Sequence, residues 1–160
     1  MRIPLPAALG AALLLPAAFG GCGDAVPPSV ATSAEESQVE RSLNDVGELY
    51  RQYTFDKKKP PASVSDLAYL DAIAPMGLMA LRNGAVIARA GVEIKDVAEG
   101  PATNDPADDV IAYAKEVPSA GGLVLMHNRT LRRMTADEFK AAKLAGSGDL
   151  AGGSSAKSKG

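Results

Sequence analysis

Residues 33 to 61 constrain this chain more than any other stretch. Ser33-Ala34-Glu35-Glu36 has the spacing of a capping box, in which the serine hydroxyl accepts from the Glu36 amide and the glutamate reaches back. Val39, Leu43, Val46, Tyr50 and Tyr53 then recur every three or four residues, so they share one face of a helix. Glu40, Asp45, Glu48 and Arg51 fall on the opposite, polar face. Lys57-Lys58-Lys59 stands where the C-terminal end of a helix dipole favours cations, and Pro60-Pro61 ends the helix. The stripe is too short for a coiled-coil seam, so it is expected to pack on the chain's own sheet.

Downstream, Ser65-Asp66 opens a helical turn carrying Leu67 and Leu70, and Pro75 suits the first turn of a helix to Arg82. Asn83-Gly84 reads as a turn before a strand over 85–89, with Val92 to Ile94 continuing in the sheet. Ala98 to Asp109, with two prolines, a glycine and four acids, reads as an exposed loop. Val110 to Ala114 is β-branched at its start and reads as a strand. Leu123 to Met126 and Leu131 to Met134, separated by His127 to Thr130, read as a hairpin. Thr135-Ala136-Asp137-Glu138 is a second capping box, opening a final helix with Phe139 and Leu144 inward. The fold class is therefore α+β, a long N-terminal helix on a small antiparallel sheet with a short C-terminal helix.

The N-terminus carries a different kind of signal. Arg2 supplies one positive charge, an apolar run extends through Leu13-Leu14-Leu15, and Phe19-Gly20-Gly21 leads into Cys22, the only cysteine. The run is shorter than the roughly 20 residues a spanning helix needs, and Pro4, Pro6 and Pro16 interrupt it. This grammar resembles a bacterial lipoprotein signal peptide. The resemblance implies cleavage before Cys22, a diacylglycerol on its sulfur, and an exported protein anchored at the bacterial cell envelope. Residues 1–21 are then a signal peptide, 22–33 a flexible tether, 34–145 the folded domain, and 146–160 a disordered Gly/Ser/Ala/Lys-rich tail.

The order of elements between residues 34 and 145 resembles the globular head of prepilin-type proteins, the family that includes type II secretion pseudopilins. The local match runs from Gly121-Gly122 through the two hairpin strands to Glu138-Phe139. Two features depart from that family. Asn128-Arg129 replaces the usual Asp-Gly turn, where arginine at a positive φ is strained. A lipoprotein-like Cys22 and a Pro-rich tether stand where the family has a long hydrophobic helix, so filament assembly is not carried over.

Candidate chemistry is sparse. The formal net charge of −2 is too mild for nucleic acid, and no Lys/Arg stripe with interleaved aromatics suggests it. His127, the only histidine, reads as a solvated turn residue without metal-ligand spacing around it. Asn104, Asp105, Asp108 and Asp109 offer four oxygen-bearing side chains, a set that with backbone carbonyls could bind Ca2+, although the EF-hand glycine and distal glutamate are absent from their places. The resemblance to pseudopilins adds to that idea, since some carry a calcium site in this part of the head; solvated loop acids are the plainer reading. The leading expectation is a non-enzymatic structural or protein-interaction module that needs no cofactor and meets an envelope protein through a sheet edge or the 98–109 loop. The alternative is a lipoprotein that binds a cation or small ligand through loop 104–109.

Overall fold

The computed structural model describes residues 33–94 and 109–152. In chain order these form α1 (Ala34–Lys57), a 3-10 helix (Val64–Leu70), α2 (Pro75–Asn83), β1 (Val86–Ala90) and β2 (Asp109–Ala114). Then come α3 (Val117–Ala120), β3 (Gly122–Met126), β4 (Leu131–Met134), α4 (Ala136–Ala141), β5 (Lys143–Leu144) and β6 (Gly148–Asp149). The strands order as β4-β3-β2-β1-β6, neighbours antiparallel, with β5 beside β2 in parallel. A long N-terminal helix on a small antiparallel sheet is thus the α+β arrangement the sequence implies. Among the described residues no helix is long and apolar enough to cross a membrane.

Both faces of the sheet are covered. On one side Leu43, Val46, Leu49 and Tyr50 of α1 join Leu78 and Leu81 of α2 against Val86, Ile111 and Leu125. Burying side chains of this size contributes about 1.5–3 kcal/mol each. On the other side Val110, Tyr113, Val124 and Met126 pack with Val117 and Phe139. There the Tyr113 and Phe139 rings meet at 4.7 Å in a tilted pair. A register shift between Val110 and Ala112 marks a bulge in β2 opposite β3.

The ends of α1 follow from its sequence with one change. Ser33 is extended (φ −60°, ψ 153°) and its Oγ accepts from the Glu36 amide at 3.1 Å. Glu36 does not complete the box, because its carboxylate pairs with Arg133 on β4 instead. At the other end Lys58 takes a left-handed φ of 55° and donates its N–H to the Thr54 carbonyl at 2.9 Å. The boxes at Ser63/Asp66 and Thr135/Glu138 both close reciprocally. The final helix is shorter than expected: Leu144 lies in β5, paired with Val110, rather than on the inner side of a helix. Val92 and Ile94 stay buried but leave the sheet.

The polar face of α1 is not given over to solvent. Ala74 caps α2 without a side-chain bond, and Asp45 of α1 supplies the acceptor instead, its Oδ2 taking the Gly77 amide at 3.1 Å. The backbones approach so closely that a Cβ on Gly77 would stand 2.6 Å from Asp45 Cβ and 2.8 Å from the Val46 nitrogen. Tyr50, fully buried, sends its hydroxyl across to the Arg89 carbonyl at 2.6 Å. Burial pushes its pKa well above the ordinary phenol value, while Arg89 pulls weakly the other way.

The segment from residue 146, expected to be disordered, instead continues the fold to Gly152. Arg89 donates from Nε to the Ala145 carbonyl at 3.0 Å and from Nη1 to Asp149 at 2.6 Å. Ser147 and Leu150 donate their amides to Ala90 and Ala88, and Ala151 bridges to Ser63 beside the 3-10 helix. Leu150 enters the core. Backbone pairing and one arginine secure this strap, and side-chain composition does not register either. Residues 1–32, the whole of the expected signal and nearly all of the tether, lie outside the described residues, as does the tail beyond Gly152. Ser33, assigned to the tether, is the cap of α1.

Two glycines on α1 and α2 should respond oppositely to alanine. Gly77→Ala forces the helices apart and should cost about 1–3 kcal/mol. Gly47→Ala meets only ordinary contacts at 3.6 Å or more and should be neutral or stabilising by up to about 1 kcal/mol. Urea denaturation reads both, and equal effects would refute the close approach. Tyr50 gives a pH signature. Below about pH 10 the hydroxyl is protonated in folded and unfolded chains alike and contributes no pH dependence. Above it the unfolded chain releases a proton that the folded chain holds, so stability falls, by about 1.4 kcal/mol per pH unit per tyrosine. Tyr50→Phe should flatten that alkaline slope, with the residual slope coming from Tyr69 and Tyr113, whose pKa values burial also raises. Parallel slopes for wild type and variant would contradict this account.

Candidate functional site

Of the expected site residues only Asp109 is described. Cys22, Asn104, Asp105 and Asp108 lie outside the described residues. Asp109 opens β2 and its carboxylate accepts from Lys143 Nζ at 2.9 Å, so it is engaged in a surface pair. Among the described residues no three His, Cys, Asp or Glu side chains gather closely enough to hold a metal ion.

His127 and Arg129 both depart from the picture of a solvated turn. His127 is half-buried, with Nε2 2.9 Å from the Glu93 carbonyl and its backbone amide donating to the Asp109 carbonyl at 2.9 Å. It therefore ties Glu93 to the start of β2. Arg129 has the expected positive φ, 65°, and is buried. The strain is offset because its guanidinium donates to Glu48 at 2.7 Å, while Glu48 also accepts from Arg51 Nε at 2.7 Å. The hairpin turn is thus pinned onto the polar face of α1, a pairing across 81 residues of sequence. Asn128 Oδ1 accepts from the Thr130 amide at 3.1 Å and from its hydroxyl at 2.6 Å, fixing the rest of the turn.

The concavity that stands out was not anticipated. It is an open cleft of about 480 Å3 where the first turns of α1 and the length of α2 meet the ends of β1, β2 and β3. Val39, Met76, Met79, Ala80, Val86 and Leu123 give it an apolar lining, and Met79 is about half exposed. Glu35, Glu36 and Glu116 stand at its polar margin with Arg133, which pairs with Glu36. Gly121 and Gly122 line it without side chains. A Cβ on Gly121 would meet the Met134 carbonyl oxygen at 2.7 Å, and its φ of 75° also favours glycine. Chemically the cleft is suited to an apolar body carrying a positive charge, and its two methionines can adapt to different shapes. The sequence signal for it was the Met76/Met79 spacing, which puts both on one face of α2; the fold then brings that face to the glycine pair.

The Glu48 bridge should prove structural. Glu48→Gln removes the charge opposite buried Arg129 and should cost about 1–3 kcal/mol, discounted because Glu48 is about a third exposed. Asp109→Asn, which touches an exposed pair, should change stability by less than about 0.5 kcal/mol. Thermal melting of the two variants side by side checks this, and equal losses would count against it.

Compared with known proteins, the chain matches no family model, no curated protein and no solved structure.

Proposed function

We propose that this chain is an exported bacterial protein, lipid-anchored at the cell envelope through Cys22, whose pilin-like α+β head is a non-enzymatic protein-interaction module. The cleft between α1, α2 and the sheet carries the interaction half of this reading. It pairs an apolar lining with three glutamates, and this favours a partner segment that presents an apolar side chain beside a lysine or arginine. The run that ends at Cys22 supports the anchoring half. Arg133 already occupies Glu36, so an incoming cation would meet Glu35 and Glu116 first or displace Arg133 from its partner.

A photo-crosslinking residue at position 79, introduced in the native envelope, tests the cleft. The expected adduct maps to a partner segment with an apolar residue adjacent to Lys or Arg and weakens when Glu35 and Glu116 are both changed to Gln. The same crosslinker at Lys140, on α4, should not give it. An identical adduct from both positions, or one indifferent to the glutamates, would overturn the assignment. Palmitate labelling should be lost on Cys22→Ala; labelling that persisted would remove the anchor.

A further inference from the structure

The far end of α1 carries a second surface that the cleft does not use. Lys57, Lys58 and Lys59 are all exposed there, beside two rings that are half exposed, Phe55 at 50% and Tyr69 at 51%. The side chains form a built corner. Lys57 Nζ lies 4.9 Å from the centre of the Tyr69 ring, and Lys58 Nζ lies 4.4 Å from that of Phe55. The two carboxylates nearby are held by other groups. Asp56 accepts from the Tyr69 hydroxyl at 3.0 Å and from Gln52 at 2.9 Å. Asp66 accepts from the backbone amides of Ala62 and Ser63, which hold its pKa below the ordinary carboxylate value.

We infer that this corner is a docking surface for an anionic lipid bilayer, on which Lys57, Lys58 and Lys59 meet headgroup phosphates while Phe55 and Tyr69 enter the interface. Ammonium groups on long stems beside amphipathic rings are what such an interface accommodates. The inference deepens the envelope-anchored reading and rests on it for its biological setting. The 24-residue α1 spans about 36 Å, and the chain from Cys22 to Ser33 reaches up to about 36–40 Å when extended. A lipid on Cys22 therefore allows the lysine end of α1 to reach the same bilayer. Tethering also raises the effective concentration of the corner at that surface, which adds to the attraction that three lysines already give in free solution.

The test uses the chain from residue 22 to 160 with Cys22→Ala, which has no lipid, mixed with vesicles of phosphatidylcholine alone or with about a third phosphatidylglycerol. Co-sedimentation should be at least tenfold stronger on the anionic vesicles and should fall away as added salt shortens the Debye length. Changing Lys57, Lys58 and Lys59 together to Glu should abolish it with the thermal melt unchanged. If that variant melts early, the neutral Gln triple is compared instead. Phe55→Ser should weaken binding without altering its salt dependence. Equal partitioning onto both vesicles, or undiminished binding by the lysine variants, overturns the inference. Vesicle binding that fails while the wild-type chain is palmitate-labelled in a Cys22-dependent way sinks only this corner. Wild-type labelling that is absent or independent of Cys22, with vesicle binding intact, sinks the anchor and leaves the corner standing.

Discussion

The seam between α1 and α2 sets the geometry of the helical layer. Gly77 lets the second helix press its backbone against Asp45 and Val46, and Asp45 supplies the amide acceptor that Ala74 cannot. Those two facts are one constraint, because the hydrogen bond forms only at the distance that the missing Cβ permits. With the seam closed, Leu78 and Leu81 reach the same core as Leu43 and Val46. Met76, Met79 and Ala80 are left facing Val39 and the ends of the strands. The cleft is the space remaining where two helices this close diverge from a twisted sheet. Its apolar lining follows from the seam, and its glutamates come from the first turn of α1 and from Glu116 just before α3.

Local patterns read well and long-range partners did not. The stripe from Val39 to Tyr53, the serine and threonine caps, Pro75 at the start of α2 and the hairpin after Met126 were all legible, because each depends on residues a few positions apart. Asp45, Glu48 and Arg51 looked like a polar face, and their hydropathy says nothing more. Two of them owe their roles to Gly77 and Arg129, residues 32 and 81 positions away. Glu36 shows the same limit on a smaller scale. Its spacing from Ser33 suits a reciprocal cap, yet Arg133 competes for its carboxylate and wins. A charged partner across the fold outweighs one neutral backbone amide.

The strap from Ala145 to Gly152 shows why composition misjudged the C-terminal boundary. Glycine and serine contribute little apolar burial, and Leu150 is the only large apolar side chain there. Order comes from elsewhere. Arg89 reaches two points of the strap, and successive backbone bonds lead along Ala90 and Ala88 to the 3-10 helix. Gly146, at φ 71°, makes the approach possible, since a Cβ there would stand 2.0 Å from the Ala90 carbonyl oxygen. What reads as a low-complexity segment is therefore required to be small. The candidate site was hard to read for a related reason: the Met76/Met79 spacing marks one wall, but a cleft is a property of elements that fail to meet, and no residue in the sequence encodes a gap.

The start of α1 is built as a true helix beginning. Inside a longer continuous helix its first amides would already be bonded to the preceding turn. Here Ser33 is extended, its hydroxyl takes the Glu36 amide, and Glu35 and Glu36 place negative charge in the first turn, where the dipole favours it. Each of these features stabilises a helix that begins at Ala34 and would be superfluous inside a longer one. Under the proposed anchoring at Cys22, the tilt of the head on a surface would have to come from contacts of the head itself. The acidic cleft lies by the first turns of α1 and the lysine corner at its last, so the two ends differ in sign. An anionic surface would draw the lysine end inward and repel the glutamate margin, leaving the cleft open to a cationic partner.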